Sequence, residues 1–72
     1  MDKPIVHYKA HPLDFIAVER PARIHQPLDH PSPDVSNTGP IRTTRVERIN
    51  RESVSHPIEW FETLNTIYVP QF

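Results

Sequence analysis

The sequence predicts a small β-rich single domain, and three observations lead there. Its 72 residues suffice for one core only. Seven of its nine prolines precede residue 41, which excludes long uninterrupted helices from that half. The runs "IRTTRVERI" (41–49) and "IEWFETLNTIYV" (58–69) are dense in β-branched and aromatic residues, the composition of strands.

Residues 1–12 read as an extended arm, in which Ile5, Val6 and Tyr8 form a short edge strand bracketed by Pro4 and Pro12. "DFIAVER" (14–20) is a short apolar run ended by Pro21 and reads as the next strand, with "ARIHQ" (22–26) as a shorter one. Residues 25–40, "HQPLDHPSPDVSNTGP", form a long ordered loop rich in proline and histidine. Then 41–49 and 58–69 pair antiparallel across the loop "NRESVSHP". A break near Leu64-Asn65 gives a third strand that ends at Pro70, so the C-terminal part is a hairpin or a three-stranded meander. The rival architecture is α+β with a C-terminal helix at 56–66. Pro57 suits a first helical turn, His56 and Glu59 imitate a capping pair, and Ile58, Phe61, Leu64 and Tyr68 fall at helical spacing. Strand is preferred because eight of the twelve residues in 58–69 are β-branched or aromatic. The core is expected from Phe15, Ile16, Val18, Ile24, Ile41, Val46, Ile49, Ile58, Trp60, Phe61, Leu64, Ile67, Tyr68 and Val69.

The net charge of −1 is evenly spread, which argues against bulk attraction to nucleic acid or an anionic membrane. With no cysteine, neither a disulfide nor a thiolate zinc site can staple the fold. No apolar run reaches membrane-spanning length, and "MDKPIVHYKAHP" lacks the apolar centre of a signal peptide, so a cytoplasmic protein is expected.

Residues 25–34 repeat a small pattern, His25-Gln-Pro-Leu-Asp29 and His30-Pro-Ser-Pro-Asp34, with a further version, His11-Pro-Leu-Asp14, upstream. Imidazole and carboxylate are donors for zinc and similar metals, so His25, Asp29, His30 and Asp34 are metal candidates. Their spacing matches no common site and turn chemistry explains the aspartates equally well, so no cofactor is assigned. No two prolines lie three apart, which removes the P-x-x-P ligand pattern, although an extended contact arm remains open. Arg42, Arg45, Arg48 and Arg51 recur every third residue. On a helix they would form a phosphate-gripping stripe; on a strand Arg42 and Arg48 face away from Arg45 and Arg51. Trp60 and Phe61 are adjacent, so on a strand one faces the core and the other needs a cover or a partner. Cysteine nucleophile, G-x-S-x-G, P-loop and H-E-x-x-H are all missing, and the reading is non-enzymatic.

The run 41–70 resembles a pattern in small uncharacterised proteins of proteobacteria and their phages. There a T-x-x-V strand (Thr43 or Thr44, then Val46) precedes an E-T-x-N-T-x-Y strand (Glu62, Thr63, Asn65, Thr66, Tyr68). "NRESVSHP" replaces the glycine turn usual between those strands. The resemblance carries no activity. It implies a phage or mobile-element setting, in which small proteins act by binding a host macromolecule.

Together these features lead to an expected protein-binding module, such as an inhibitor of a host system. Its expected contact surface is Trp60, Phe61 and Tyr68 with Arg45 and Arg48 at the rim and His30 and Pro31 from the loop. A homodimer with the aromatic pair at its two-fold axis is compatible with this. The alternatives are a nucleic-acid binder using the four arginines and a metal- or pH-responsive module using the His/Asp loop.

Overall fold

A computed structural model describes residues 3–30 and 39–72. Five strands follow one another: β1 (Ile5–Lys9), β2 (Pro21–Ile24), β3 (Ile41–Asn50), β4 (Trp60–Thr63) and β5 (Ile67–Gln71). They form one sheet of order β1-β5-β4-β3-β2, antiparallel except for the parallel β1–β5 pair. The protein is thus β-rich, with no helix among the described residues, and the helix at 56–66 gives way to β4 and β5. The break near Leu64-Asn65 is the two-residue turn between them, with the Thr63 amide donating to Thr66 O at 2.8 Å. Pro70 does not end β5; it pairs with Tyr8, and the strand reaches Gln71.

The sheet curls until its two edges meet. Beyond β2 the chain passes β1 antiparallel: the Lys9 amide donates to Gln26 O and the Leu28 amide to His7 O, both at 2.8 Å, around the pair Tyr8↔Pro27. Four antiparallel steps from β1 through this segment and β3, β4 and β5 reverse the chain four times. The remaining contact, β5 with β1, must therefore be parallel.

This closure changes two readings of the sequence. Residues 5–9 are not part of an arm, because β1 is a wall strand whose Val6 and Tyr8 are buried. The head of the 25–40 loop also belongs to the wall, and Pro27 is among the fully buried side chains. A proline fits there because Lys9 and Leu28 supply the donors on either side of it.

Residues 14–20 are not a strand. Phe15 alone pairs, with Arg23, and the rest is turn and irregular chain. Glu19 has φ 70°, a left-handed conformation incompatible with extended pairing. Its amide donates to Val46 O while the Val46 amide donates to Arg20 O, which sets the entry into β2. Phe15, Val18 and Leu64, expected inside, are exposed.

β3 carries two bulges. Pro21↔Arg45 and Arg23↔Arg42 set three residue steps of β3 against two of β2, while Val46↔Thr63 and Arg48↔Glu62 set two steps against one of β4. Alternation is therefore replaced by a three-residue rhythm, with Thr43 and Val46 buried and Ile49 packed on the core. At the first bulge the Ala22 amide donates to Thr43 Oγ1 at 3.0 Å, and that hydroxyl donates to Thr44 O at 2.7 Å. A buried threonine thus supplies the acceptor the interrupted ladder lacks.

Inside, Phe61 stacks on its cross-strand neighbour Tyr68, with centroids 4.8 Å apart, and meets Tyr8 edge-on at 5.6 Å. Val6, Ala22, Ile24 and Val46 complete the buried cluster. Burial lifts both phenols above the ordinary tyrosine range, and at Tyr8 the charge of Asp14 adds to it.

Candidate functional site

The expected contact surface does not assemble. Phe61 and Tyr68 are core residues, and the Tyr68 hydroxyl lies 3.3 Å from His30 Nε2 at the end of the closing segment. Trp60 does face away from Phe61, as two neighbours on a strand must. It is half-buried beneath Arg48, whose guanidinium carbon sits 5.4 Å from the ring centroid. Arg48 also binds Glu62 at 3.1 Å, and Lys3 Nζ holds the other oxygen of Glu62 at 2.5 Å and Thr63 O at 2.9 Å. The Lys3 bond, with the charges of Lys3 and Arg48, outweighs the opposing effect of desolvation and leaves the Glu62 carboxyl below its usual range. This chain of contacts covers Trp60 from within the molecule. Pro31 lies outside the described residues.

The arginines of β3 are not divided by strand parity. The bulges bring Arg42, Arg45 and Arg48 alike to the outer surface, in separate neighbourhoods. Arg45 faces Glu47 at 3.5 Å, Arg48 covers Trp60, and Arg51 lines a cavity with His11 and Asp14. Arg42 lies beside Arg23 across the β2–β3 ladder, and Phe15 pairs with the other edge of Arg23.

Phe15, Arg23 and Arg42 therefore stand in a row on the outside of the barrel. With Leu13, Arg20 and Pro21 they line an open groove of about 560 Å³. Leu13 is 72% exposed and Phe15 51%. Among the described residues none of the Arg20, Arg23 and Arg42 guanidinium groups is in an ion pair or hydrogen bond, whereas the other arginines but Arg51 are engaged. Like charges set opposite each other on neighbouring strands cost stability. The groove thus combines exposed apolar side chains with positive charge that has no ion pair or hydrogen bond among the described residues. Of these, the sequence marks Arg42 as a site candidate and Phe15 as core, because the row depends on the bulge and on the single Phe15–Arg23 pair.

Members of the His/Asp repetition enter one long-range pair and one cluster. Asp29 braces the middle of β1: its Oδ1 accepts from the His7 amide at 2.6 Å, and Oδ2 lies 2.8 Å from His7 Nδ1. Those bonds hold its carboxyl below the usual range, so Asp29 is not available to His25. Asp34 lies outside the described residues. His25 instead meets the upstream copy of the motif. Donor atoms of His11, Asp14 and His25 lie within 4.8 Å of one another, the one grouping of metal-ligand type among the described residues. In the loop 51–57, Ser53 Oγ is 2.6 Å from His56 Nδ1, and His56 Nε2 is 3.3 Å from Glu52. All three are exposed residues of one short loop. They serve as turn bracing.

Compared with known proteins, the chain matches no protein-family model, no curated protein and no solved structure significantly.

Proposed function

We propose that the protein is a non-enzymatic binding module whose docking surface is the groove of Leu13, Phe15, Arg20, Pro21, Arg23 and Arg42. Its occupant is an acidic segment of another protein that carries an aliphatic or aromatic side chain between its carboxylates. The observation that supports this reading is the coincidence of exposed Phe15 and Leu13 with three guanidinium groups that have no acidic partner among the described residues. An apolar anchor would supply burial, and the forked guanidiniums suit carboxylates in paired geometry. Single-stranded nucleic acid shares the need for cations and a stacking ring, but the overall charge of −1 provides no long-range attraction for a phosphate chain. The resemblance of residues 41–70 gives this role a setting, the binding of a host protein by a phage or mobile-element product.

The test is fluorescence anisotropy with labelled acidic peptides bearing a central leucine, phenylalanine or tryptophan, run beside an oligothymidylate at physiological salt. Saturable peptide binding, weakened about tenfold or more by Phe15→Ala and by Arg23→Glu, supports the reading. Binding of the oligonucleotide alone, or peptide binding indifferent to both substitutions, overturns it.

A further inference from the structure

A separate cluster, at the end of β2 opposite the turn 11–14, has the chemistry of a cation site. We propose that His11, Asp14 and His25 bind a divalent transition metal of the zinc class. Donor atoms from the three side chains already lie within 4.8 Å of one another, with Asp14 and His25 separated by 11 positions in the chain. At tetrahedral geometry with Zn–N and Zn–O lengths near 2.0–2.1 Å, donors sit about 3.4 Å apart. Asp14 Oδ1 and His25 Nδ1 are already closer than that, at 2.7 Å. The third donor, His11, must move inward by about an ångström to reach that spacing.

The backbone around the cluster is fixed. His11 O accepts from the Asp14 amide at 3.0 Å, and Asp14 Oδ2 accepts from the His11 amide at 3.0 Å, closing the turn. Asp14 Oδ1 also accepts from the His25 amide at 3.0 Å, and the reciprocal Phe15–Arg23 bonds of 2.9 and 2.8 Å tie the segments one step further on. Because a carboxylate can only accept, His25 donates through Nδ1 to Asp14 in the metal-free protein. Metal binding moves that proton to Nε2, so that Nδ1 and Asp14 Oδ1 ligate side by side. His11 stacks on His25 with centroids 4.2 Å apart and rings 19° from parallel. Its Nδ1 accepts from the Leu13 amide at 3.0 Å. Metal binding exchanges that single bond and the stack for coordination, and His11, being exposed, can swing.

The charge also fits. The Asp14 side chain is only 8% exposed, yet no lysine or arginine pairs with it among the described residues, and its one ionisable partner is His25. A nearly buried carboxylate without a fixed cation is unusual, because burial penalises an unpaired charge. Two nitrogens and one oxygen suit zinc, cobalt or nickel rather than calcium or magnesium, which prefer oxygen alone. In a chain without cysteine, the ion would clip the irregular segment 10–20 to β2.

The full chain, with any affinity tag removed, is titrated with zinc chloride by calorimetry and with cobalt(II) by visible absorption. One saturable site, a four- or five-coordinate cobalt spectrum displaced by zinc, and a zinc-induced Tm rise of about 5 °C or more are expected. His11→Ala and His25→Ala should both abolish these signals, whereas His56→Ala and His7→Ala leave them intact. His11 is exposed, so its variant remains informative even where His25→Ala disturbs the end of β2. Absence of saturable uptake, or uptake that survives His11→Ala, or loss in His56→Ala, would overturn the assignment.

Discussion

At Glu19 a single backbone angle reveals a conflict that packing overrides. Its φ of 70° is a conformation that costs a non-glycine residue roughly 1–2 kcal/mol, and the paired bonds between residues 19–20 and Val46 hold it there. Glycine adopts that angle freely but loses more entropy on folding, so Glu19→Gly should be neutral to stabilising by up to about 1 kcal/mol. Glu19→Val should destabilise by more than that, because β-branching is worst tolerated at positive φ. Urea denaturation of the two variants separates the outcomes, and a glycine variant as damaged as the valine one would mean that the Glu19 side chain itself matters. The neighbouring aromatics Trp60 and Phe61 make a second contrast. Phe61→Ala removes the centre of the ring cluster and should cost about 3–5 kcal/mol. Trp60→Ala should lose mainly the ring under Arg48, about 1 kcal/mol. Equal losses in urea would mean that the outer face is part of the core.

Much of the element scale could be read from residues, and what could not has definite causes. β3, β4 and β5 announce themselves in "IRTTRVERI", "WFET" and "TIYV", where composition and break coincide. The opposed faces of Trp60 and Phe61 follow from strand geometry alone. β1 was legible as a strand but not as a wall, since proline brackets look the same on an edge and at a seam. The closure depends on the segment 26–28, whose Pro27 argues locally for a loop. The bulges of β3 are invisible to alternation, and they carry Arg42, Arg45 and Arg48 to one side of the sheet. The His/Asp motif was visible in all its copies, but only the fold pairs His25 with His11 and Asp14 rather than with Asp29. From the closure follows a prediction. Deletion of residues 1–10 strips β5 and the 26–28 segment of their shared neighbour and removes Val6 and Tyr8 from the core. Such a chain should lose its cooperative thermal transition rather than melt a few degrees lower. A truncated protein with an intact two-state melt would show that β1 is an ornament on a self-sufficient meander.

At the scale of the whole molecule, the shifted carboxyls and phenols bound a pH range of stability. Asp29 and Glu62 are held below the usual carboxylate range by His7 and by Lys3 with Arg48. Their contribution is present above the unfolded-state value near 4 and is lost as pH falls through the lower folded values. Tyr8 and Tyr68 are displaced the other way, chiefly by burial. Their neutral forms are favoured in the folded chain, so that contribution is complete below the unfolded value near 10 and disappears as pH rises past it. Tm should therefore form a plateau through neutral pH that falls on both flanks. Asp29→Asn and Glu62→Gln should flatten the acid flank only. The alkaline flank can be followed directly, because the chain has two tyrosines and both are in the core. Phenolate absorbance should stay low beyond pH 10 and then appear together with the loss of the far-ultraviolet strand signal, since ionisation and opening of the barrel are one event. A phenolate that titrates near 10 while the strand signal persists would place at least one ring in water, and the stacked centre of the fold would have to be redrawn around Phe61 alone.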